Sequence, residues 1–277
     1  MNDLNEIYIN IKNKLNEYGI DERESRLLIS TALNVPKEKL LTLKEISDDA
    51  VKKIDTIVDK RCLGVPYAYL TGYKEFMKLN FKVNENVLIP REDTEILVQK
   101  AIEILDKIED EKNVLDMCTG SGCIAVSITK YSNNVKMFAI DISEQALEVA
   151  KENAILNNVN ITLLKSDLFN GVDKDKKFNM IVSNPPYIKK SVINSLDKEV
   201  KEHEPILALD GGEDGLDFYR IISQNAKDYL LEKGYLIFEI GFDQAREVVK
   251  ILEDNGYKNI EVLKDFSNND RVVISQT

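Results

Sequence analysis

After about residue 93 the chain alternates short apolar, β-branched runs with segments of helical periodicity, and no other feature limits its fold so strongly. The runs fall at residues 114–117, 136–141, 161–166, 178–183, 235–240, 260–263 and 271–275. Strands joined through helices run parallel, so the sheet should be largely parallel with helices on both faces. Only residues 264–270 join the last two runs. A parallel return needs a crossover of about a dozen residues, so this pair should be antiparallel. The expected fold class is α/β, a Rossmann-like domain with a mostly parallel seven-stranded sheet.

The first sixty or so residues carry no convincing strand. Ile7, Ile11 and Leu15 recur at helical spacing, and Asp21 with Glu24 forms a capping box ahead of Leu27, Leu28 and Leu33. A further helix should start near Ser47 and turn Val51, Ile54, Ile57 and Val58 inward. Gly64, Pro66, Gly72 and the alternating stretch 76–89 mark a change of pattern, with 84–86 as the expected hairpin turn. A helix should then run from Asp93 to about Lys107. The expected division is a small helical domain at 1–73, a β-hairpin linker at 74–92 and the α/β domain at 93–277, and 277 residues suit one large domain with a small one.

Charge and cysteines narrow the possible roles. A net charge of -11 counts against a protein whose work is gripping phosphate backbones. The three cysteines, Cys62, Cys118 and Cys123, include no CxxC pair, so neither a disulfide framework nor a zinc site is expected. The start holds Asn2, Asp3 and Glu6 rather than a basic, then apolar, leader. No apolar run approaches the ~20 residues of a membrane span. A cytoplasmic monomer is expected.

The first constellation with chemistry is Asp116-Met117-Cys118-Thr119-Gly120-Ser121-Gly122, between a strand and a helix. Its glycines allow a tight turn and close approach to a ligand, and Gly120, Gly122 and Ala125 satisfy a G-x-G-x-x-A spacing. Asp141 ends the next strand nineteen residues after Gly122, where it can accept hydrogen bonds from a ribose diol. A glycine turn can merely join strand to helix, but Asp141 in register argues for a ligand. A nicotinamide dinucleotide would bring a pyrophosphate close to Asp116, and an uncompensated carboxylate there repels it. S-adenosylmethionine has no phosphate and carries positive charge, which suits Asp116.

The second constellation is Asn184-Pro185-Pro186-Tyr187 at the end of the fourth strand. Each proline disfavours the α region for the residue before it, so the segment projects from the carboxyl edge of the sheet. Strands one and four should be neighbours there, which places both constellations on one crevice. The Asn184 side-chain oxygen and the Pro185 carbonyl can accept both hydrogens of one planar NH2 group while Tyr187 packs on its face. Prolines end strands anywhere, but that alone does not explain an Asn opposite a cofactor turn. Asp167 and Leu168, after the third strand, are weaker candidates for an adenine amine and ring, since a strand-ending Asp often serves as a cap. His203, Arg61 and Tyr69 read as structural.

With these motifs in place, the sequence resembles the release-factor glutamine methyltransferase family (HemK/PrmC) from about residue 61 onward. Arg61, Pro66, Tyr69, Gly72 and Glu75-Phe76 are similar to its bridging segment. Val87-Leu88-Ile89-Pro90-Arg91-Glu92-Asp93-Thr94-Glu95 is similar to its IPRxDTE signature. Glu204-Pro205, Ala208-Leu209, Gly211-Gly212 and Gly215-Leu216 resemble the loop that follows NPPY. The resemblance implies a class I S-adenosylmethionine-dependent methyltransferase whose helical N-terminal domain docks the protein substrate. It implies methylation of the glutamine in the Gly-Gly-Gln motif of class I peptide-chain release factors. Cofactor contacts then fall to Asp116, Cys118, Thr119, Gly120, Ser121, Gly122, Asp141, Asp167, Leu168 and Asn184, and the acceptor amide to Asn184, Pro185, Pro186 and Tyr187. Cys118 stands where the family often has glycine, and Leu168 where it can have a larger aromatic. An adenine-amine methyltransferase acting on DNA or RNA is the alternative, since such enzymes share NPPY. The acidic charge balance and the lack of a basic recognition region weigh against it.

Overall fold

The structure, a computed structural model, describes residues 2–277 and contains two compact units. The smaller holds the described residues up to Gly72 together with Asp197–His203. Its elements are β1 (Asn2–Asp3), α1 (Leu4–Glu17), α2 (Glu24–Leu33), α3 (Lys37–Leu40), β2 (Glu45–Ile46), α4 (Asp48–Cys62) and α5 (Tyr67–Thr71). Asp3 caps α1 by accepting from the amides of Asn5 and Glu6, and Ser47 caps α4 by accepting from Ala50. Leu4, Ile11, Leu15, Leu28, Ile54 and Val58 close the core. A two-residue antiparallel ladder joins β1 to β2, where the sequence shows no strand signal.

The capping box expected from Asp21 and Glu24 does not form. Asp21 accepts from the backbone N–H of Arg23 at 2.8 Å, and α2 starts at Glu24 without a side-chain cap. Glu24 is drawn instead to Arg61, which lies in the last turn of α4 and is 6% exposed. The guanidinium donates to Glu24 through Nε at 2.6 Å and Nη2 at 3.1 Å, and to Glu199 through Nη1 at 2.7 Å. Burial works against this charge, but the two carboxylates outweigh it and hold the pKa above its ordinary value. Glu199 explains why residues 197–203, expected with the α/β domain, gather with the small unit.

The larger unit begins with β3 (Tyr73–Phe76) and β4 (Leu79–Lys82), an antiparallel hairpin. Its turn is not at 84–86, as the sequence pattern suggests, but at Met77 and Lys78, which take φ of 50° and 58°. Two successive left-handed residues are what a tight hairpin needs, and Gly or Asn usually supplies them. Here side chains clamp the turn: Met77 N–H donates to Glu95 Oε1 at 2.6 Å, and the Tyr131 hydroxyl donates to the Met77 carbonyl at 2.6 Å. Asn84 and Asn86 do form a turn, but after the hairpin has closed.

The elements α6 (Thr94–Leu105), β5 (Lys112–Met117), α7 (Cys123–Tyr131), β6 (Val135–Asp141), α8 (Glu144–Leu156), β7 (Ile161–Lys165) and β8 (Phe178–Ser183) follow. After them come α9 (Lys190–Ile193), α10 (Lys198–His203, part of the small unit), α11 (Asp217–Ala226), β9 (Leu230–Glu239), α12 (Ala245–Asp254), β10 (Lys258–Lys264) and β11 (Asp270–Gln276). The strands form one seven-stranded sheet in the order β10-β11-β9-β8-β5-β6-β7. All pairs are parallel except those of β11, which is antiparallel to both β9 and β10. Side chains alternate between faces, so Val114 and Met180 join Leu97, Ala101 and Ile124 on one side while Leu115 and Ile181 join Tyr219, Ile222 and Leu252 on the other. Among the described residues no helix is long and apolar enough to cross a membrane.

The Arg61 cluster yields a stability prediction. Arg61→Ala should destabilise the small unit by roughly 2–3 kcal/mol, below the full cost of orphaning a buried charge because Glu24 and Glu199 keep some access to water. Denaturant unfolding followed by probes in each unit should show the loss confined to the small unit's transition.

Candidate functional site

Strand order reverses between β5 and β8, so the loops leaving these neighbours diverge and open a crevice at the carboxyl edge of the sheet. Met117 pairs with Ser183, and the Ser183 hydroxyl donates to the Met117 carbonyl at 2.7 Å. The glycine turn and the Asn-Pro-Pro-Tyr segment therefore start side by side. Between them lies a cavity of about 240 Å³.

The glycine turn is built from left-handed backbone. Cys118, Gly120 and Gly122 have φ of 62°, 54° and 77°. For Cys118 that conformation costs on the order of 1–2 kcal/mol, which is the physical reason glycine suits the position. Thr119 N–H donates to the Ile140 carbonyl at 3.0 Å, and Gly122 N–H to the Thr119 carbonyl at 2.8 Å. A Cβ on Gly122 would lie 3.0 Å from Ala150 Cβ, whereas one on Gly120 would meet nothing. Burial pushes the thiols of Cys118 and Cys123 up, the latter to about 12, so both stay protonated.

Two carboxylates hold this turn. Asp116 is fully buried; its Oδ2 accepts from Thr119 Oγ1 at 2.6 Å and from the Ala125 amide at 3.2 Å, which staples the turn to the first turn of α7. Its Oδ1 is buried without a partner, and burial raises its pKa to about 7. Asp141 ends β6 and accepts from Gly120 N–H and from Ser143 N–H, each at 2.9 Å. Burial raises its pKa as well.

Cys118, Thr119, Gly120 and Ser121 line the cavity together with Asp141. Asp167, Leu168, Asn184 and Pro186 complete the part of the lining that the sequence picks out. Asp116, Gly122, Pro185 and Tyr187 lie outside the lining. Leu168 has φ of 47° and is held by Ser166, whose hydroxyl donates to the Leu168 carbonyl at 2.6 Å and accepts from Gly171 N–H at 2.8 Å.

The Asn184 Nδ2 donates to Thr94 Oγ1 at 3.4 Å, and the Tyr187 hydroxyl donates to Glu239 Oε1 at 3.4 Å. Gln244 Nε2 donates to the Tyr187 carbonyl at 3.0 Å. Gly211 packs so tightly that a Cβ there would lie 2.7 Å from Tyr187 Cα, which explains the glycines downstream. Thr94 and Glu239 are the residues that reading for chemistry passes over. Thr94 sits inside the Pro90 to Glu95 signature, and Glu239 is a lone carboxylate in the apolar run 235–240, which was the available signal. Glu239 is 1% exposed; burial raises its pKa to about 7 against the hydrogen bond of Thr94 and the charge of Arg271. Arg91, on the cavity wall, pairs with buried Glu204, and Arg271 pairs with Asp93 at 3.3 Å.

This sheet order, with a glycine turn after β5, an acid ending β6 and a polar projection ending β8, defines a class I methyltransferase fold. Residues 93–211 match the methyltransferase small domain, and residues 6–72 match the PrmC N-terminal domain. The release factor glutamine methyltransferase of Thermodesulfovibrio yellowstonii is 42% identical over 96% of each chain. That of Clostridium acetobutylicum is 42% identical over 91% of this chain and 90% of its own. The chain belongs to the release factor glutamine methyltransferase family. A crystal structure of a methyltransferase from Pyrococcus furiosus, 19% identical, superposes with a TM-score of 0.55 over 73% of this chain and 91% of that one, a likeness of fold.

Gly122→Ala should cost about 2–4 kcal/mol, because positive φ and the Ala150 contact add, whereas Gly120→Ala should cost only about 1–2 kcal/mol from backbone strain. Denaturant midpoints of the two variants check this order. Acid chemistry gives a second expectation. Asp116 and Glu239 have folded pKa values of about 7, above their unfolded values, so the folded state binds more protons between these limits. Their contribution to stability is full below the unfolded pKa and is lost as pH rises through about 7. The wild type should lose up to roughly 1.4 kcal/mol per pH unit per group between pH 5 and 7, and Asp116→Asn should flatten that slope in unfolding curves.

Proposed function

We propose that the chain methylates the side-chain amide nitrogen of the glutamine in the Gly-Gly-Gln motif of class I peptide-chain release factors, with S-adenosylmethionine as methyl donor. One observation carries this reading. The Asn184 nitrogen is committed to Thr94, which leaves Oδ1 as an acceptor in the same cavity as the glycine turn and Asp141. A primary amide offers two hydrogens in one plane, and Asn184 Oδ1 with the Pro185 carbonyl would take them. The names of the relatives favour glutamine over other carriers of an NH2 group.

The residues present fit the cofactor. Asp141 spends one lone pair on Gly120 of the turn and one on the Ser143 N–H, and keeps others for a ribose diol. The unpartnered Oδ1 of Asp116 puts negative potential beneath the turn, which favours a cation and disfavours a pyrophosphate. Residues 118–122 would approach the cofactor with their backbone, Asp167 would accept from the adenine amine, and Leu168 would lie against the ring. When bound, S-adenosylmethionine supplies a methyl group on a sulfonium, an electrophile that needs no metal.

The acceptor is the harder half of the problem. An amide nitrogen shares its lone pair with the carbonyl and attacks poorly, so orientation and stabilisation of charge developing on nitrogen must come from the site. Asn184 and the Pro185 carbonyl would do both by gripping the two hydrogens, with Tyr187 against the flat face. The N-terminal helical domain expected over residues 1–73 would dock the release factor. The enzyme would act in the cytoplasm as a monomer, with no need of nucleic acid or a membrane.

Labelled-methyl transfer run in parallel on a release factor, its tripeptide Gln→Ala variant, DNA and RNA is the test. Label should appear on the native release factor alone. Label that persists on the variant, or forms faster on nucleic acid, overturns the assignment. Asn184→Ala should lower the rate on the order of a hundred- to a thousandfold in an unchanged fold.

A further inference from the structure

Resting on that reading of the cofactor cavity, we propose that Asn153 is a positioning residue for S-adenosylmethionine, because it ties the glycine turn to the strand that leads into a second stretch of the cavity wall. Asn153 lies in α8 and is fully buried. Its Nδ2 donates to the Ser121 carbonyl at 2.8 Å and to the Lys82 carbonyl at 3.0 Å, while its Oδ1 accepts from the Lys82 N–H at 2.6 Å. Ser121 belongs to the turn, and Lys82 ends β4. Just beyond Lys82 the chain reaches Glu85, Asn86, Val87 and Leu88, which line the same cavity as Thr119, Gly120 and Ser121. One side chain therefore holds two parts of that wall in register.

The turn and the strand each offer groups that their own elements leave unused. Ala125 N–H, which could reach back four residues to the Ser121 carbonyl, donates to Asp116 Oδ2 at 3.2 Å instead, so that carbonyl falls to Asn153. β4 pairs with β3 along one edge, and Lys82 turns its N–H and carbonyl to the Asn153 amide as it would to a further strand. Asn157 Nδ2 repeats the contact two residues earlier in β4, donating to the Asn80 carbonyl at 3.0 Å. Four residues of helix rise about 6 Å and two residues of strand about 7 Å, so the two asparagines match alternate residues of β4. The second hydrogen of Asn157 Nδ2 goes to the Asn153 carbonyl, so Asn157 supports β4 without touching the turn. An apolar side chain at 153 would strip three buried polar groups of their partner. They regain water only where the turn and β4 draw apart, and cofactor binding must then close that gap again. Loss of the amide thus falls on cofactor affinity and not on the chemistry at Asn184.

Comparison of the two asparagines separates this role from general support of the hairpin. The readouts are the Kd of S-adenosylhomocysteine by calorimetry, the denaturant midpoint, and kcat and the KM for S-adenosylmethionine in methyl transfer to a release factor. Asn153→Leu should raise both Kd and KM by at least about tenfold while kcat at saturating cofactor stays within about threefold of wild type. Asn153→Ser, small enough to admit water to the groups left behind, should shift Kd in the same direction, and it serves if Asn153→Leu does not fold. Asn157→Leu should lower the denaturant midpoint yet leave Kd within about threefold. A folded Asn153 variant that binds S-adenosylhomocysteine as wild type does overturns the inference, as does an Asn157→Leu variant that loses as much affinity as Asn153→Leu. Either result leaves the proposed reaction standing. A wild type that binds no S-adenosylhomocysteine overturns the cofactor reading as well.

Discussion

The parallel pairing of β5 with β8 is the constraint from which the site follows. Because the chain goes first to β6 and β7 and only then returns to the far side of β5, the loops that leave β5 and β8 head apart. Their starting points are locked in register by the Met117 to Ser183 pair and by the Ser183 hydroxyl on the Met117 carbonyl. Had β8 added next to β7 instead, the glycine turn and Asn184 would stand three strands apart, and no single cavity of about 240 Å³ could hold both. The chemistry therefore depends on topology before it depends on any side chain.

The segment from Arg91 to Glu95 converts that edge into a defined site. Its side chains reach in four directions: Arg91 to Glu204, Asp93 to Arg271, Thr94 to Asn184, and Glu95 to the Met77 amide. Each partner belongs to a different piece of the large unit. One short turn thereby fixes the loop after Asn-Pro-Pro-Tyr, the strand β11, Asn184 and the hairpin. Separate anchors would leave each piece free to move relative to the others, and catalytic geometry tolerates little of that.

Much of this architecture was legible in the sequence. All seven strands of the large sheet fall where apolar periodicity places them, and the antiparallel final pair follows from a loop too short to cross over. The turn at 118–122, Asp141 and Asn184 declare themselves because glycine, a strand-ending acid and an Asn before prolines have few reasons to occur together. What stayed hidden has a common physical cause, namely partners distant in sequence. Glu24 reads as the second half of a capping box until Arg61, 37 residues away, draws it off. Met77 and Lys78 do not look like turn residues, and only Glu95 and Tyr131 make them so. Asp116 reads as a ligand-facing acid, yet its contacts are made inward, to Thr119 and Ala125. Glu239 reads as part of a core strand until the fold sets it beside Thr94 and Tyr187.

Asp116 and Glu239 also reveal how the site divides stability from function. Each is a carboxylate sealed from water, and for each burial is the largest influence on its protonation. A core of the same shape without them would fold at less cost, since unpaired buried charge is among the most expensive things a protein can hold. Both sit at the carboxyl edge of the sheet, Asp116 in β5 beside the crevice and Glu239 at the end of β9, the neighbour of β8. Elsewhere in the large unit those strands bury apolar side chains such as Val114, Leu115, Ile237 and Phe238. These two carboxylates thus sit at the edge where hydrogen-bond direction and negative potential matter, and the apolar positions of each strand provide the ordinary packing that offsets their cost.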